Sequence, residues 1–578
     1  MTQAAPTPPA PTSPAPAQPA PASPAPAQPA PAQPAPAQPV PIQRQVSATV
    51  RQLLGDVELR PGQAEALDAV LARDTLAVLA TGTGKSLIYR VAGQLMPGAT
   101  VIVSPTVALQ KDQLVALSTA GPPAAALNSL LSAKQQRAVL ARMAAGELEF
   151  LLLSPEQLAR EEVLQALTAT KVSLFVVDEA HCVSSWGHDF RPDYLALPSV
   201  IAALGRPRVL ALTATASPRV RREIADALRM TDPAVIVGEF DRPDIWLGTQ
   251  LATDARAADA AVLDILRAEI SDGPGTAIVY VASRRRSEEL AEAVAPLGLS
   301  AAHYHGSMAR KLRDATHAAF LDGEVSVVVA TSAFGLGIDK PDVRLILHAD
   351  PPEDLDAYYQ QVGRAGRDGE PARAVLLNRP NGYGLARYFS AGQGPSAGDL
   401  KALLAALGSR PAKLAAVAGQ AGLPAARARR AANALIAVGA VAEQRGGLRR
   451  LAEPAAVDAA VESAQRSAEQ RRVQAETAVE LVRRYAETED CRRRLLLQLL
   501  GEDHPEPCGN CDNCDAGTST TVQAQPFALS QRVEHAEWGT GIVQQYEPGR
   551  VVVLFEDVGF RTLALDVVEE RGLLRPAG

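Results

Sequence analysis

The stretch Thr75-Leu76-Ala77-Val78-Leu79-Ala80-Thr81-Gly82-Thr83-Gly84-Lys85-Ser86 decides how this chain is read. Its first half is a short apolar run with the composition of a buried strand. Its second half turns through two glycines into Lys-Ser and an amphipathic stretch. Glycines let a backbone fold around phosphates with its N–H groups pointing inward, here from Thr81, Gly82, Thr83 and Gly84. The helix that follows adds partial positive charge at its N-terminus. Lys85 has the reach of the β- and γ-phosphates, and Ser86 offers a hydroxyl to Mg²⁺. Leu79 stands where the general phosphate-loop pattern has its first glycine. Strand, loop, Lys-Ser and helix nevertheless follow in order, and they predict an α/β fold that binds a nucleotide at a strand's C-terminal end.

Downstream, the run Val172–Val177 ends in Asp178-Glu179-Ala180-His181. An acid at a strand's C-terminal end is where a parallel sheet places its chemistry. Asp178 can hold Mg²⁺ through water, and Glu179 can orient or deprotonate an attacking water. Further β-branched runs at Val101–Ser104, Glu149–Ser154, Arg208–Leu212, Thr276–Val281, Val325–Thr331 and Val343–His348 alternate with longer amphipathic stretches. That rhythm predicts parallel sheets with helices on both faces, in two domains, 44–240 and 241–396, with a break near Asp241–Asp254. In the second domain, Arg364 and Arg367 lie three apart near a helix end. Such a pair can cross a cleft to a nucleotide held by the first domain. An arginine finger there is worth roughly 10³–10⁵ in rate. Arg367 is the expected finger and Arg364 its partner.

In this order the motifs resemble those of a superfamily-2 helicase of the RecQ family, from Leu53 to Asn378. Leu59-Arg60-Pro61-Gly62-Gln63 resembles the adenine-reading motif, which implies Arg60 and Gln63 at the base. Asp56 and Leu59 replace the family's usual aromatics there. Ser104-Pro105 through Lys111-Asp112-Gln113 resembles motif Ia, with Lys111 toward the DNA strand, and Ser154-Pro155-Glu156 resembles motif Ib. Thr213-Ala214-Thr215-Ala216 resembles motif III. Tyr280 through Arg284, with Tyr304-His305-Gly306, resembles motif IV and its neighbour. Ala330-Thr331 through Gly337-Ile338-Asp339 resembles motif V, implying Gly337 and Asp339 near the nucleotide. Gln360 through Gly369 resembles motif VI and adds Gln360 to the catalytic set. The resemblance implies two RecA-like domains, ATP and Mg²⁺, and DNA-stimulated hydrolysis. It also implies 3′→5′ translocation and unwinding in recombination or repair. An RNA helicase and a DNA-binding scaffold with weak ATPase activity are the alternatives.

Directly after Asp178–His181 comes Trp186-Gly187-His188-Asp189-Phe190-Arg191, reaching Tyr194, an aromatic cluster in an aromatic-poor chain. Such a loop suits stacking on unpaired bases, each worth about 1–3 kcal/mol. It resembles the family's aromatic-rich loop, which senses single-stranded DNA. Trp186, His188, Phe190 and Arg191 are its candidate contacts. Near the other end, Cys491 precedes Cys508-Gly509-Asn510-Cys511-Asp512-Asn513-Cys514. Two overlapping CxxC turns and a fourth thiolate can enclose a tetrahedral ion, and four sulfurs point to a closed structural Zn²⁺ site. This block resembles the family's zinc platform, placed at 453–516, with Arg492-Arg493-Arg494 expected to face phosphate. Cys182 is expected to be a small buried residue.

The chain of 578 residues carries a net charge of −7, so nucleic-acid contact must rest on local patches. One such patch is 401–450, with nine Lys/Arg and the single acid Glu443. The segment 397–452 reads as helix–turn–helix–wing, with Arg427, Arg429 and Arg430 near a helix start that can enter a duplex groove or grip phosphates. Lysines are few, 8 against 49 Arg: Lys85 sits in the phosphate loop, Lys111 and Lys340 fall in motifs expected to contact the strand, and Lys401 and Lys413 lie in the basic segment. Residues 1–43, rich in Pro, Ala and Gln, read as an extended tail, and 517–530 as a linker. Short Gly-bounded strands over 531–578 suit a small SH3- or Tudor-like barrel. It resembles the C-terminal module of UvrD-type helicases and implies a protein partner. No run suits a membrane span and no signal peptide is evident, so a cytoplasmic, nucleoid-associated protein without membrane contact is expected.

Overall fold

A computed structural model describes residues 42–578 except 57, 120, 159, 185–191, 271–274, 336, 337, 339, 385–393, 445, 446, 520–524, 528–530, 548, 556, 557 and 578. The Pro/Ala-rich tail and the candidate residues Trp186, His188, Phe190, Arg191, Gly337 and Asp339 therefore lie outside the described residues. The apolar runs become two wholly parallel sheets. The first contains β1 (Thr75–Val78), β2 (Ala99–Val103), β3 (Ala124–Leu127), β4 (Phe150–Leu153), β5 (Val172–Val177), β6 (Arg208–Thr213) and β7 (Ala234–Val237), in the order β3-β4-β2-β5-β6-β1-β7. The second contains β8 (Ile245–Leu251), β9 (Thr276–Tyr280), β10 (Ala301–Tyr304), β11 (Val327–Ala330), β12 (Val343–His348) and β13 (Ala372–Asn378), in the order β10-β11-β9-β12-β13-β8. Helices cover both faces, so central strands such as β1, β2 and β4 are buried along their whole length.

The stretch read as a break between domains carries a strand. Ile245–Leu251 pairs with β13 along seven residues, so the linker feeds directly into the edge of the second sheet. Leu79 also finds its explanation. It is 3 % exposed, and its Cδ2 lies where Cβ atoms on Gly62 and Gly238 would sit, 2.7 and 2.9 Å away. A side chain fills at Leu79 what glycines leave open at its two neighbours.

Helices Ala397–Ala406, Leu414–Gln420 and Ala425–Ala437 precede the hairpin β14 (Val441–Gln444) and β15 (Gly447–Arg450). This winged-helix arrangement closes on its own core of Leu403, Val417, Ala431, Leu435 and Leu448. Gly447 has φ +128°, and a Cβ there would run into the Ala412 backbone, which bridges to Leu448. Helix Val457–Glu487 then leads to helix Arg492–Leu500 and the cysteine turns. The chain ends in a five-stranded antiparallel sheet of β16 (Arg532–His535), β17 (Gly539–Glu547), β18 (Arg550–Phe555), β19 (Gly559–Ala564) and β20 (Leu574–Pro576). Among the described residues no helix is long and apolar enough to cross a membrane.

Candidate nucleotide, zinc and DNA sites

The phosphate loop leaves β1 and enters helix Ser86–Leu95, with Gly82 and Gly84 at φ +79° and +74°. Only glycine takes those angles without strain, and they curl the loop into a cradle. The Lys85 ammonium folds back to donate to the carbonyls of Leu79 (3.0 Å) and Ala80 (3.4 Å). Gln63 and Arg60 meet the loop from below. The Gln63 amide donates to Thr83 O (2.5 Å) and Gly84 O (3.2 Å), and the Arg60 guanidinium donates to Gly82 O (3.2 Å). Both residues, expected at a base, here hold the loop's carbonyls.

Asp178 directly follows β5 and is 7 % exposed. Its carboxylate accepts from Gln113 Nε2 (2.5 Å) and from the Glu179 amide (3.0 Å). Burial pushes the Asp178 pKa up, while Gln113, Lys85 and the Glu179 amide pull it down. Burial pushes the Lys85 pKa down, opposed by the charges of Glu179 and Asp178. Glu179 sits in the left-handed region at φ +50°, a costly conformation for a non-glycine that redirects the chain just after the strand. His181 Nδ1 lies 2.9 Å from the Thr213 hydroxyl, which donates to Thr215 O (2.9 Å), tying the acidic motif to Thr213–Ala216. The Asp178 carboxylate and Ser86 hydroxyl are hard oxygen donors beside a phosphate cradle, a set that fits Mg²⁺. Gln113 belonged to a recognised motif but had no assigned role. Its partner could be found only in three dimensions.

The second sheet brings its arginines to the same loop. The Cδ and Nε of Arg367 lie 4.0 Å from the position a Gly82 Cβ would take, and its charge also lowers the Lys85 pKa. The Thr81 hydroxyl donates to Gly363 O (3.4 Å), and a Cβ on Gly363 would sit 2.7 Å from that hydroxyl. Arg364 is buried and donates to Gly335 O. Gln360 is 6 % exposed, and its Nε2 has no hydrogen-bond partner among the described residues. Lys85, Asp178, Glu179 and Arg367 therefore gather at the phosphate loop, the first three from the first sheet and Arg367 from the side of the second.

The four sulfurs of Cys491, Cys508, Cys511 and Cys514 lie within 4.8 Å of one another. The Cys508 and Cys514 sulfurs are 3.8 Å apart. Thiolates about a tetrahedral zinc, with Zn–S bonds of about 2.3 Å, take nearly that spacing. Backbone amides of Cys508, Asn510 and Cys514 donate to the Cys491, Cys508 and Cys511 sulfurs, each at 3.4 Å. Hydrogen bonds from Cys508 and Cys511 hold the Cys491 thiol far below its ordinary pKa, which favours the metal-binding thiolate. The set fits a structural zinc. Cys182 is fully buried, as expected.

The cationic candidates divide. Lys111 is exposed on helix Val107–Thr119. Arg430 is exposed and makes no ion pair among the described residues, whereas Arg427 forms a two-bonded pair with Asp399 (2.5 and 3.0 Å). Arg429 reaches Glu443 at 3.3 Å. Helix Ala425–Ala437, which bears all three, packs against the turn Pro192–Ala196 that follows the aromatic-rich stretch. Two expectations are corrected. Arg492, Arg493 and Arg494 do not face phosphate: all three are buried, paired with Asp512, Asp241 and Asp490. An ion pair plus backbone carbonyls can satisfy a guanidinium in the interior, and each has both. Lys340 is likewise buried, pairing with Asp342 at 3.1 Å and lying over the Phe320 ring.

Comparison with known proteins follows the same division. The DEAD/DEAH box helicase family matches residues 60–224, the helicase conserved C-terminal domain 260–369, and the RecQ zinc-binding family 451–515. The probable ATP-dependent DNA helicase RecS of Bacillus subtilis is 38% identical over 344 residues, 59% of this chain and 68% of the relative. The ATP-dependent DNA helicase RecQ of Haemophilus influenzae is 32% identical over 468 residues, 81% of this chain but only 63% of that protein's length. The crystal structure of the DUF1998 helicase MrfA bound to DNA shares the fold, with a TM-score of 0.50 at 17% identity over 60% of this chain and 52% of the other. Two facing parallel sheets, a zinc-competent four-cysteine cluster and these relatives agree: the chain belongs to the RecQ family of ATP-dependent DNA helicases.

Proposed function

We propose that the protein hydrolyses ATP with Mg²⁺ and couples each cycle to 3′→5′ movement along single-stranded DNA, unwinding duplex in recombination or repair. The seat of Arg367 against Gly82 carries this reading, because it delivers a cation from the second sheet onto the phosphate loop of the first. Lys85 and the amides of residues 81–84 grip the β- and γ-phosphates. Ser86 and Asp178 hold Mg²⁺, which when bound neutralises phosphate charge. Glu179 takes the proton of the attacking water, and Arg364 and Arg367 stabilise charge on the γ-phosphate. Gln360 joins the catalytic set, Gly337 and Asp339 are assigned to nucleotide binding by motif, and Arg60 and Gln63 link loop geometry to the base. Phosphate release removes what holds the two sheets together at the loop, and their separation is the motion that drives movement along the strand.

Lys111 and the aromatic-rich stretch bearing Trp186, His188, Phe190 and Arg191 take the single strand. The winged helix, through Arg430 with Arg427 and Arg429, takes the duplex. The working parts are then 44–240 and 241–396 as motor, 397–452 as duplex grip and 453–516 as zinc platform. The β-domain at 531–578 docks a protein, and the place of work is the cytoplasmic nucleoid. Two duplexes with opposite single-stranded tails test the direction. Unwinding with ATP is expected only for the 3′-tailed substrate, and preference for a 5′ tail contradicts the proposal.

A further inference from the structure

The linker between the two sheets is bonded on both of its sides. On one side it holds the finger loop. Arg242 donates to three carbonyls of the four-residue stretch 363–366, Gly363 O (3.4 Å), Ala365 O (2.8 Å) and Gly366 O (3.0 Å). These follow helix Leu355–Val362, whose Gln361 and Val362 carbonyls are taken by the Arg364 and Ala365 amides, so Arg242 holds the turn beyond the helix end and its charge complements the helix dipole. Asp244 fixes the fork from behind with two bonds, Arg242 Nε to Oδ1 (3.0 Å) and Nη2 to Oδ2 (2.6 Å). Gly366 is left-handed at φ +62°, and a Cβ there would sit 2.5 Å from Asp244 Oδ2. Arg242 and Asp244 therefore brace the backbone turn that carries Arg364 and leads to Arg367.

On its other side the linker meets the zinc platform. Arg493 pairs with Asp241 (2.6 Å) and donates to Ile245 O (2.5 Å). Asn510, between Cys508 and Cys511, donates through its side chain to Pro243 O (2.8 Å). Its own carbonyl accepts from the Leu247 amide (3.4 Å). Glu502 accepts from the Phe240 amide (2.7 Å), and Phe240 O in turn accepts from the Tyr359 hydroxyl (2.6 Å) in the helix before the finger.

We infer that Arg242 is a positioning residue for the arginine finger, and that Asp241–Ile245 transmits the fold of the cysteine turns to the ATP site. This rests on the reading of Arg364 and Arg367 as γ-phosphate ligands. A displacement of about 1 Å at a reacting centre costs on the order of 10²-fold in rate. Arg242→Ala in the full-length, zinc-loaded protein should therefore lower kcat of DNA-stimulated ATP hydrolysis by about tenfold to a hundredfold. KM for ATP and the affinity for a fluorescent ADP analogue should stay within about twofold, since neither requires an ordered finger. Hydrogen exchange at the Gly366 and Gly369 amides should quicken, and Arg242→Lys should recover part of the rate. Asn510→Ala, which removes no sulfur, should keep its zinc and show the same quickened exchange over 363–369. Arg367→Ala serves as the control. If it leaves kcat intact, the finger assignment itself fails. If it lowers kcat while Arg242→Ala does not, the positioning role fails alone. Unchanged exchange at 363–369 in Asn510→Ala overturns the route through the cysteine turns. A loss of nucleotide affinity in Arg242→Ala as large as its loss of kcat also overturns positioning.

Discussion

Asp178 shows how much a single residue depends on neighbours distant in sequence. Its burial alone would favour the neutral acid, and the hydrogen bond from the Gln113 amide at 2.5 Å does most to keep it ionised. A hydrogen bond to a charged group is worth about 1.5–3 kcal/mol, and a pKa unit about 1.36. Gln113→Leu should therefore raise the Asp178 pKa further. The acid limb of the kcat–pH profile should move to higher pH, and an unmoved limb would remove Gln113 from the site. The residue types of the site, Lys85, Asp178, Glu179 and the two arginines, were legible because each stands at a fixed place relative to a strand or helix end. What each charge pairs with was not. Arg492, Arg493 and Arg494 look like a phosphate grip in sequence, yet their partners at Asp512, Asp241 and Asp490 turn them inward.

Elements were legible where their composition was distinctive. The β-branched runs became β2, β4, β5, β6, β9, β11 and β12, whereas Ala124–Leu127, a run of alanines closed by leucine, carries no strand signal and pairs only because β4 lies beside it. Ile245–Leu251 was hidden by its central glycine and its place in the linker. Within β12, His348 makes an element-scale prediction. Its ring stacks on Tyr280 (centroids 5.2 Å apart), and Nε2 meets Gln361 Oε1 at 2.6 Å. Nδ1 is buried with no hydrogen-bond partner among the described residues, so a second proton would have no acceptor. Burial lowers the pKa from 6.5 to about 4. Between those values the unfolded chain binds the extra proton and the folded chain does not. The resulting stability, about 3 kcal/mol, is complete above pH 6.5 and is lost as pH falls toward 4. Melting temperature should drop over that window, and His348→Gln should flatten the slope. Equal slopes would place the acid lability elsewhere.

At the scale of the whole molecule, a net charge of −7 conceals where the charge lies. The basic segment 401–450 folds into a winged-helix unit with its own core, and helix Val107–Thr119 keeps Lys111 exposed. The order of motifs was enough to foresee two facing sheets, because a phosphate loop and an arginine finger are useful only opposite each other. The bracing of that interface by the zinc platform was not legible, since it depends on carbonyls of Pro243 and Ile245 that any residue could supply. The proposed function makes the phosphate loop faced by Arg367 an ATPase that responds to DNA. The most direct measurement is the steady-state rate of ATP hydrolysis without nucleic acid, with single-stranded DNA and with single-stranded RNA, for the parent and for Lys85→Ala. Single-stranded DNA should raise the parent's rate well above that with RNA or with neither, and Lys85→Ala should bind DNA yet turn over no ATP. A parent rate indifferent to DNA, or a Lys85→Ala protein that still hydrolyses ATP, would contradict it.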